Sequence, residues 1–568
     1  MSTDIISYFD NLPVELLYHI LNYLDTNTIL LSFRYVCSRF YLLSNVYNQY
    51  QLNFYSCTKY NFYRFARIIN PVHIVSLVLS DDDRTPGQIN LFLSLFHLNQ
   101  FHALRSLTLL EIEDSNLNLI LNDLSSLALR SLTIQSRTFF TWTNQTLACL
   151  SPVLEQSSLK QFTLSIWCFE IYDFIWPNQC HIEHVHISNR ITFEQYCTIL
   201  ERCLSLRTFI IKDVLWNDTN TINVKHYRQL KSLTLEDNRM DIFKLEQFLS
   251  LTPSLTYLKV IGMAYLMDSY RWEKILRTKL PLLENFEFFF QSWKDISYDF
   301  SDIESLIRPF QTSFWLENKR WIVNCDYIFN PIEVLLYSIP ICKSSFQYHD
   351  PSNKISCSNF IDMFVDENIM DNVMDLRINL VKSFNQGCSM KKNHSFPSPV
   401  FRHVTELTLD LNDKCLMCLT QSLANLLNLS HITQLALNIN YDFSSDVNTT
   451  TNLKNIVQHI SNIHTLEISN NLSTIYSNIT IEDICLLIPS TIEHLKITVK
   501  NITDMKTIID RFEHLSSITF RFSFYKSIPS AKIIESFLNI KKDLTYRKDD
   551  CSIRVWLNRY LAKKLLYI

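Results

Sequence analysis

Four residues close together in the sequence have side chains that bind metals. They are His181, Glu183, His184 and His186. In a β-strand His184 and His186 point the same way, which suits a shared ion. A zinc site takes three or four ligands, however, and the spacing indicates no third one. We therefore predict no metal here.

The other reactive pairs are equally isolated. Cys415 and Cys418 form one Cys-x-x-Cys, whereas a structural zinc site of this type uses two such pairs. Both thiols are more simply explained as one face of a helix packed on the core. The adjacent carboxylates Asp549 and Asp550 have no catalytic residue type beside them in the sequence.

Glycine is rare, and this excludes several classes of enzyme. The chain has three glycines, Gly87, Gly262 and Gly387, and none lies near another. Phosphate-binding loops, dinucleotide fingerprints and G-x-S-x-G elbows all need closely spaced glycines. We predict no catalytic residue and no cofactor, and we expect a protein that is not an enzyme.

Composition limits the partners and the compartment. The 568 residues are 47% hydrophobic with a net charge of −4, and basic residues cluster only in pairs such as Lys391-Lys392. This predicts a folded chain without a nucleic-acid-binding face. We also predict no membrane span, since no apolar run reaches about 20 residues. The N-terminus lacks a signal-peptide pattern, so we expect cytoplasmic or nuclear localisation, or both, with all fifteen cysteines reduced.

Residues 8 to 48 contain more apolar side chains than so short a segment can bury by itself. Asn11 is a candidate helix cap, Pro13 fits a first turn, and Glu15 suits the positive end of a helix. The polar run 25–28 can end that helix and cap the next. The apolar positions at helical spacing are Leu16, Leu17, Ile20, Leu21 and Leu24, then Leu30, Phe33, Val36, Phe40 and Leu43. About 40 residues rarely fold alone, so we expect this segment to bind a partner.

This segment resembles the F-box. The matching residues are Leu12, Pro13, Glu15, Leu16, Leu17, Ile20, Leu21, Val36, Cys37, Arg39 and Phe40, with Phe40 where the family usually has tryptophan. The resemblance implies docking on the Skp-type adaptor of a cullin–RING ubiquitin ligase. The implied adaptor-binding residues are Leu12, Pro13, Glu15, Leu16, Ile20, Leu21, Val36, Cys37 and Phe40. The alternative is a helical cap on the domain that follows.

From residue 74 a six-residue phrase recurs, with apolar residues at its first, fourth and sixth positions. It begins at residues 74, 104, 129, 159, 182, 206, 230, 255, 283, 373, 404, 432, 463, 492 and 515. Outside one gap the phrases are 23 to 31 residues apart, which resembles leucine-rich repeats. In that family an Asn three residues after the last apolar position caps the bend after the strand. Here it would be Asn238, Asn412, Asn440 and Asn471.

Amphipathic helical stretches separate these phrases, so each unit reads as strand, turn and helix. Examples are 192–204, 242–251, 414–427, 453–460 and 505–512. Residues 289–372 break the rhythm, and we expect one or two degenerate units with long loops there; a separate inserted domain is the alternative. We predict an α/β fold: a short all-helical F-box at 1–50, a helical linker or cap at 51–73, and a leucine-rich-repeat solenoid at 74–568. The solenoid would have a curved parallel sheet inside and helices outside.

The residues that flank the middle apolar position of each phrase would lie on the concave side. In the first half they are mostly small, such as Ser106, Thr108, Ser131 and Thr133. The candidate target-binding residues come from later units: Tyr257, Lys259, Glu287, Asp375, Arg377, Glu406, Glu467, His494 and Lys496. The alternative is that they are ordinary solvated strand residues.

Together these patterns predict a substrate receptor of an SCF-type ubiquitin ligase. It would bind the adaptor through the F-box and an unidentified target protein through the repeats. The rival interpretation is a non-ligase repeat scaffold whose N-terminal helices cap the solenoid.

Overall fold

The computed structural model of the chain divides into two compact units, Met1–Arg207 with Tyr560–Ile568, and Thr208–Arg559. It describes residues 11–136, 144–166, 176–216, 225–292, 303–329, 332–349, 353–360, 369–379, 400–411, 419–439, 447–470, 481–499, 501–522, 545–549 and 552–557.

Unit 1 begins with three short helices and continues as alternating strands and helices. Its helices are α1 (Val14–Tyr23), α2 (Thr26–Leu31), α3 (Ser38–Val46), α4 (Lys59–Ile68), α5 (Gln88–Leu95), α6 (Asp114–Leu124), α7 (Asn144–Leu154) and α8 (Phe193–Arg202). Its strands are β1 (Tyr50–Asn53), β2 (Ile74–Ser80), β3 (Ser106–Leu110), β4 (Ser131–Ser136), β5 (Gln161–Ile166) and β6 (His184–Thr192). Turns of 3-10 helix occur at Phe33–Tyr35, Pro71–His73 and Leu98–Gln100.

The six strands of unit 1 pair in parallel and in chain order. The register places the middle apolar residue of each phrase beside that of the next. The resulting row, Leu77, Leu107, Leu132, Phe162 and Val185, is buried throughout. Successive strands therefore build one continuous core between the sheet and its helices.

Unit 2 contributes strands to two sheets. The first set is β7 (Thr208–Leu215), β8 (Ser232–Asn238), β9 (Tyr257–Met263), β10 (Asn285–Ser292), β11 (Val323–Phe329), β12 (Ile332–Ser338) and β14 (Lys354–Ser358). Strands β7 to β10 are parallel, and then β10, β12, β11 and β14 pair antiparallel in that order. The interruption of the repeat phrases after residue 289 thus coincides with a change from parallel to antiparallel pairing.

The second sheet of unit 2 returns to parallel pairing. Its strands are β13 (Ser345–Tyr348), β15 (Asp375–Asn379), β16 (Glu406–Leu411), β17 (Gln434–Ile439), β18 (Thr465–Asn470), β19 (His494–Val499), β20 (Ser517–Phe522), β21 (Thr545–Lys548) and β22 (Ser552–Trp556). Strands β13 and β15 to β20 are parallel and in chain order, after which β22 and β21 add antiparallel. One hydrophobic core runs from Phe289 and Leu335 of the first set to Leu376 and Val555 of this sheet.

Helices separate most of the parallel strands of unit 2. They are α9 (Ile242–Leu249), α10 (Ser269–Thr278), α11 (Ile303–Ile307), α12 (Leu419–Leu426), α13 (Val447–His459), α14 (Ile481–Leu487) and α15 (Ile502–Arg511). Shorter turns lie at Ala264–Leu266, Arg308–Gln311 and Leu429–His431, with a π-helical turn at Phe314–Lys319. Asp241, Asp268 and Asn501 cap α9, α10 and α15 through their side chains. Such caps fix where each helix begins.

A buried carboxylate joins the antiparallel strands of the first set. Asp326 is 1% exposed and accepts hydrogen bonds from Asn324, Tyr337, Lys354 and Ser356, with Lys354 Nζ 2.8 Å away. Burial is the main reason that the pKa of Tyr337 lies well above its ordinary value, and the Asp326 charge adds to it. A buried charge with this many donors is a structural junction, since β11, β12 and β14 each contribute at least one donor.

The bend after β8 explains one of the three glycines. Asn238, a repeat-pattern asparagine, is fully buried, and its side-chain nitrogen donates to Met240 O at 3.1 Å. A Cβ on Gly262 would lie 2.6 Å from Leu266 Cδ1 and 3.1 Å from Asn238 O. Glycine is needed at this position because β9 approaches the bend so closely.

The structure confirms a mixed α/β fold with N-terminal helices and large sheets rich in parallel pairs. The expected cap at the start of α2 is also confirmed, since Asp25 accepts from Thr28 N at 2.8 Å. The expected Asn11 cap is wrong, because α1 begins after Pro13 and has no side-chain cap. Asn412, Asn440, Asn471, Cys415 and Cys418 lie outside the described residues.

Candidate protein-binding surfaces

The first helix is amphipathic, and one side of it is buried. Pro13 precedes the first helical residue, and Glu15 places a negative charge in the first turn. Leu17 and Leu21, one turn apart, are fully buried. Leu16, the residue before Leu17, is 49% exposed. The helix therefore presents leucine to the core and to solvent alike.

A small core holds the N-terminal helices together. Leu17, Phe40 and Leu43 are buried in it, and Leu12, Ile20 and Cys37 are partly buried against them. The rings of Phe33 and Phe40 stack with centroids 4.2 Å apart. Arg39 Nη2 donates to Leu12 O at 2.5 Å, which ties the segment before α1 to α3.

The same helices carry an unusual number of exposed apolar side chains. We call the following set the N-terminal apolar surface: Val14, Leu16, Tyr23, Tyr35, Val36, Tyr41, Leu42 and Val46. All eight are more than one third exposed, within a stretch of 33 residues. Single exposed apolar side chains are common on proteins, whereas a concentration of them marks an interaction site.

The structure separates the predicted adaptor-binding residues into three groups. Exposed residues are Pro13, Glu15, Leu16 and Val36, whereas Leu12, Ile20 and Cys37 are partly buried. Leu21 and Phe40 are 0% and 4% exposed. These last two support the helices from inside, because burial removes them from the surface that a partner would contact.

Hydrogen bonds join the N-terminal helices to the first strand. The Thr26 hydroxyl donates to Gln51 O at 2.7 Å and accepts from Gln51 N at 3.2 Å. Tyr47 donates to Asn22 Oδ1 at 2.8 Å, and Tyr50 donates to Ser44 O. Strand β1 pairs with β2 alone among the described strands, so Thr26 satisfies backbone groups on its open edge.

The predicted target-binding residues fall on two different sheets. Tyr257, Lys259 and Glu287 lie on β9 and β10. The Tyr257 hydroxyl donates to Glu287 Oε2 at 2.9 Å, and burial, then the Glu287 charge, raises the pKa of Tyr257. Because their polar atoms are bonded to each other, Tyr257 and Glu287 stabilise the sheet whether or not a ligand is present.

The other six predicted residues lie on the second sheet of unit 2. They are Asp375, Arg377, Glu406, Glu467, His494 and Lys496. The register brings Asp375 beside Glu406, and Glu467 beside Lys496. His494 is 5% exposed, and its Nδ1 lies 2.8 Å from Ser517 Oγ. We call the side of this sheet that carries these residues the polar face.

A ladder of hydrogen bonds crosses the polar face. Arg377 donates from Nε and Nη2 to Asp410 at 2.7 and 3.0 Å, and this raises the pKa of the guanidinium. Asn438 donates to the same carboxylate at 2.7 Å, and Ser469 donates to Asn438. Asp410 is 3% exposed, so this ladder fixes the side chains of four neighbouring strands.

Sequence reasoning missed Asp410 and Arg521, which lie on the same face. Each follows directly after the last apolar residue of a phrase. It is thus two residues beyond the fifth position of the phrase, which is the second of the two flanking positions that were considered. In a strand that third position points the same way as the other two. This alternation was a signal in the sequence from which both residues could have been found.

The histidine cluster shows no metal-binding arrangement. His186 Nε2 lies 3.0 Å from Ser188 Oγ on the same strand. Within the described ranges no group of three or more His, Cys, Asp or Glu side chains is placed to hold a metal ion. The ten cysteines in those ranges are all free thiols.

Comparison with known proteins identifies the N-terminal helices. Residues 9–47 match the model of the F-box-like family, which confirms the resemblance for this part of the chain. The chain has no match among curated proteins. No helix in the part that the structure describes is long and apolar enough to cross a membrane. The chain thus carries an F-box-like domain at residues 9–47.

Proposed function

We propose that the chain is the substrate-recognition subunit of an SCF-type ubiquitin ligase. The N-terminal apolar surface would bind the Skp-type adaptor, and the repeat units would bind a target protein. The chain itself would be non-catalytic and would act in the cytoplasm, the nucleus or both. Holding a target lysine close to the ubiquitin-loaded enzyme raises its effective concentration.

The observation that carries this proposal is the N-terminal apolar surface within an F-box-like segment. A helix exposing Leu16, and a neighbouring turn exposing Val36, keep apolar area in water that a partner would cover. Each such side chain contributes about 1.5–3 kcal/mol when fully buried. Adaptor binding accounts for this exposure, whereas the core of the helices is complete without it.

We further propose that residues 74–568 form a leucine-rich-repeat solenoid interrupted at 289–372. Parallel strands in chain order, buried phrase residues and intervening helices support this. So does Asn238, which closes its bend as an asparagine of that pattern would. Units of this size are stable only when they stack on their neighbours.

Co-purification of the full chain with a Skp-type adaptor tests the proposed function. Leu16→Asp with Val36→Asp should reduce adaptor affinity at least 100-fold, because two charges would have to be desolvated in an apolar interface. Leu119→Asp is the matched control, since Leu119 of α6 is 61% exposed outside the F-box-like segment. It should leave adaptor binding unchanged, and all variants should keep the melting temperature of the wild type.

A second outcome would favour the rival function. The hydrogen bonds between Thr26 and Gln51 show that the N-terminal helices also cover a sheet edge. If the wild-type chain fails to bind the adaptor, covering that edge becomes the role of the helices. The chain would then be a non-ligase scaffold.

A further inference from the structure

Positive charge is concentrated near the C-terminus of the chain. Residues 494–568 contain fifteen lysines and arginines but seven aspartates and glutamates, a net charge of +8. The whole chain has a net charge of −4, so residues 1–493 carry −12. Along the sequence the basic residues cluster only in pairs. A larger cluster can form on a sheet, because its members come from different strands.

The last strands of the second sheet bring four of these bases onto the polar face. The register aligns Lys496 with Thr519, Thr519 with Arg554, and Arg554 with Arg547. Neighbouring strands are about 4.8 Å apart, so this row spans about 14 Å. Arg521 lies two residues after Thr519 and points to the same side. Their fields overlap, since the Debye length in physiological salt is about 8 Å.

Two carboxylates on this part of the face are each shared by two bases. Glu467 pairs with Arg521 and lies 3.9 Å from Lys496 Nζ. Asp549 lies 2.7 Å from Arg554 Nη2 and 3.5 Å from Arg547 Nε. Positive charge therefore exceeds negative charge among these six residues. The Arg521 and Lys496 side chains are 42% and 24% exposed, so they are the bases that a ligand can reach.

The opposite balance holds at the first strands of the same sheet. Arg377 bonds to Asp410, while Asp375 and Glu406 on the same side add two negative charges. Among the residues that the structure describes, the polar face thus changes from acidic at β15 and β16 to basic at β19 to β22. An acidic ligand segment would therefore be attracted to the β19–β22 end of this face and repelled by the β15–β16 end.

We infer that the basic end of the polar face, around Lys496 and Arg521, binds an acidic segment of a protein. This inference rests on the proposed function, in which the repeat units receive the target, and it assigns that role to the second sheet. It specifies the chemistry of that target: carboxylate or phosphate groups clustered in one extended segment. Arginine and lysine donate charge-assisted hydrogen bonds to both groups. Glu467 and Asp549 hold these bases in place.

The test uses the full chain and fluorescence anisotropy with a labelled peptide of eight glutamates. A peptide of eight lysines and an eight-nucleotide single-stranded DNA are the comparison probes. The wild type should bind the glutamate peptide at least tenfold more tightly than either. Preference for the DNA would replace the protein ligand by nucleic acid, and preference for the lysine peptide would reverse the charge assignment. Either result overturns the inference.

Three variants locate the site. Lys496→Gln with Arg521→Gln should weaken binding of the glutamate peptide at least tenfold, whereas Glu467→Gln should tighten it. Asp375→Asn with Glu406→Gln is the control at the acidic end and should change the affinity less than twofold. Unchanged peptide binding in Lys496→Gln with Arg521→Gln overturns the inference. So does weaker peptide binding in Glu467→Gln.

Adaptor co-purification of the same variants separates this inference from the proposed function. All three variants should still bind the adaptor, because they leave residues 11–47 intact. Loss of peptide binding with the adaptor retained is the expected result. A wild type that binds the peptide but not the adaptor contradicts the proposed function alone.

Discussion

The N-terminal helices and the polar face of the second sheet both carry exposed side chains, but for different reasons. On the helices, apolar side chains such as Leu16 and Leu42 face water although the small core beneath them is complete. On the sheet, Arg377 and Asp410 bond to each other across strands. Exposed apolar surface therefore calls for a partner, whereas a paired charge already has a structural explanation. On the sheet only unbalanced charge indicates a ligand.

Removing a buried ring from the helices should give the largest effect. Phe40→Ala deletes a side chain that is 4% exposed and stacked on Phe33. We expect a loss of about 3–5 kcal/mol from the stability of the helices. Hydrogen exchange of the amides in residues 14–46 measures it.

Leu42→Ala is the matched control for Phe40→Ala, since Leu42 of the same helix is 63% exposed. It should change stability by less than about 0.5 kcal/mol. Equal protection in the two variants would contradict the separation of core and surface residues in this segment.

The buried acid of the polar face should give the next largest effect. Asp410→Ala leaves Arg377 and Asn438 without their acceptor, so we expect a loss of about 1–3 kcal/mol in urea unfolding. Glu406→Ala removes an exposed acid that accepts from Gln434 at 2.6 Å and should cost less than about 0.5 kcal/mol. An equal loss of stability in the two variants would contradict the expectation that the buried Asp410 contributes more than the exposed Glu406.

Salt should distinguish the two surfaces directly. Between 50 and 300 mM NaCl we expect adaptor affinity to change less than threefold, because apolar burial is only weakly screened. Affinity for the glutamate peptide should fall more than fivefold, because charge attraction is screened. The measurement is a titration of each ligand at both salt concentrations. Parallel salt dependences would contradict the comparison.

The smallest predicted effect concerns the cap of α2. The Thr28 hydroxyl, 2.6 Å from Asp25 Oδ2, is the main cause that lowers the Asp25 pKa below its ordinary 3.8. The cap therefore contributes stability above the unfolded pKa, and this is lost as the pH falls through the folded pKa. Thr28→Val should raise the Asp25 pKa toward 3.8 in a carbon-detected NMR titration. An unchanged midpoint would assign the shift to the backbone donors instead.

Much of this fold could be predicted because its pattern is local. Phrases such as 104–109 mark a strand by apolar spacing alone, and Leu107 and Leu109 are buried as that spacing requires. The helix predicted at 242–251 occurs at Ile242–Leu249, where Asp241 caps it. Such features depend on residues close together in the sequence.

The remaining features depend on residues that are distant in the sequence. Antiparallel pairing of β10 with β12 is specified by contacts more than forty residues apart, such as Phe289 with Tyr337. Likewise, Arg521 meets Glu467 from two strands away. Leu16 and Leu17 look alike in the sequence, and packing against Phe40 and Leu43 of α3 is what buries Leu17. The residue pattern of one strand or one helix does not specify which distant segment packs against it.

The hydrogen bonds between Thr26 and Gln51 affect how target capture should be studied. Deleting the F-box, a direct way to accumulate undegraded targets, would also uncover the edge of β1 and the ring of Tyr50, which packs on Tyr47. An uncovered edge invites strand pairing between chains, so the truncated protein would trap copies of itself. Leu16→Asp with Val36→Asp avoids this, because the helices keep covering the strand while the adaptor site is lost.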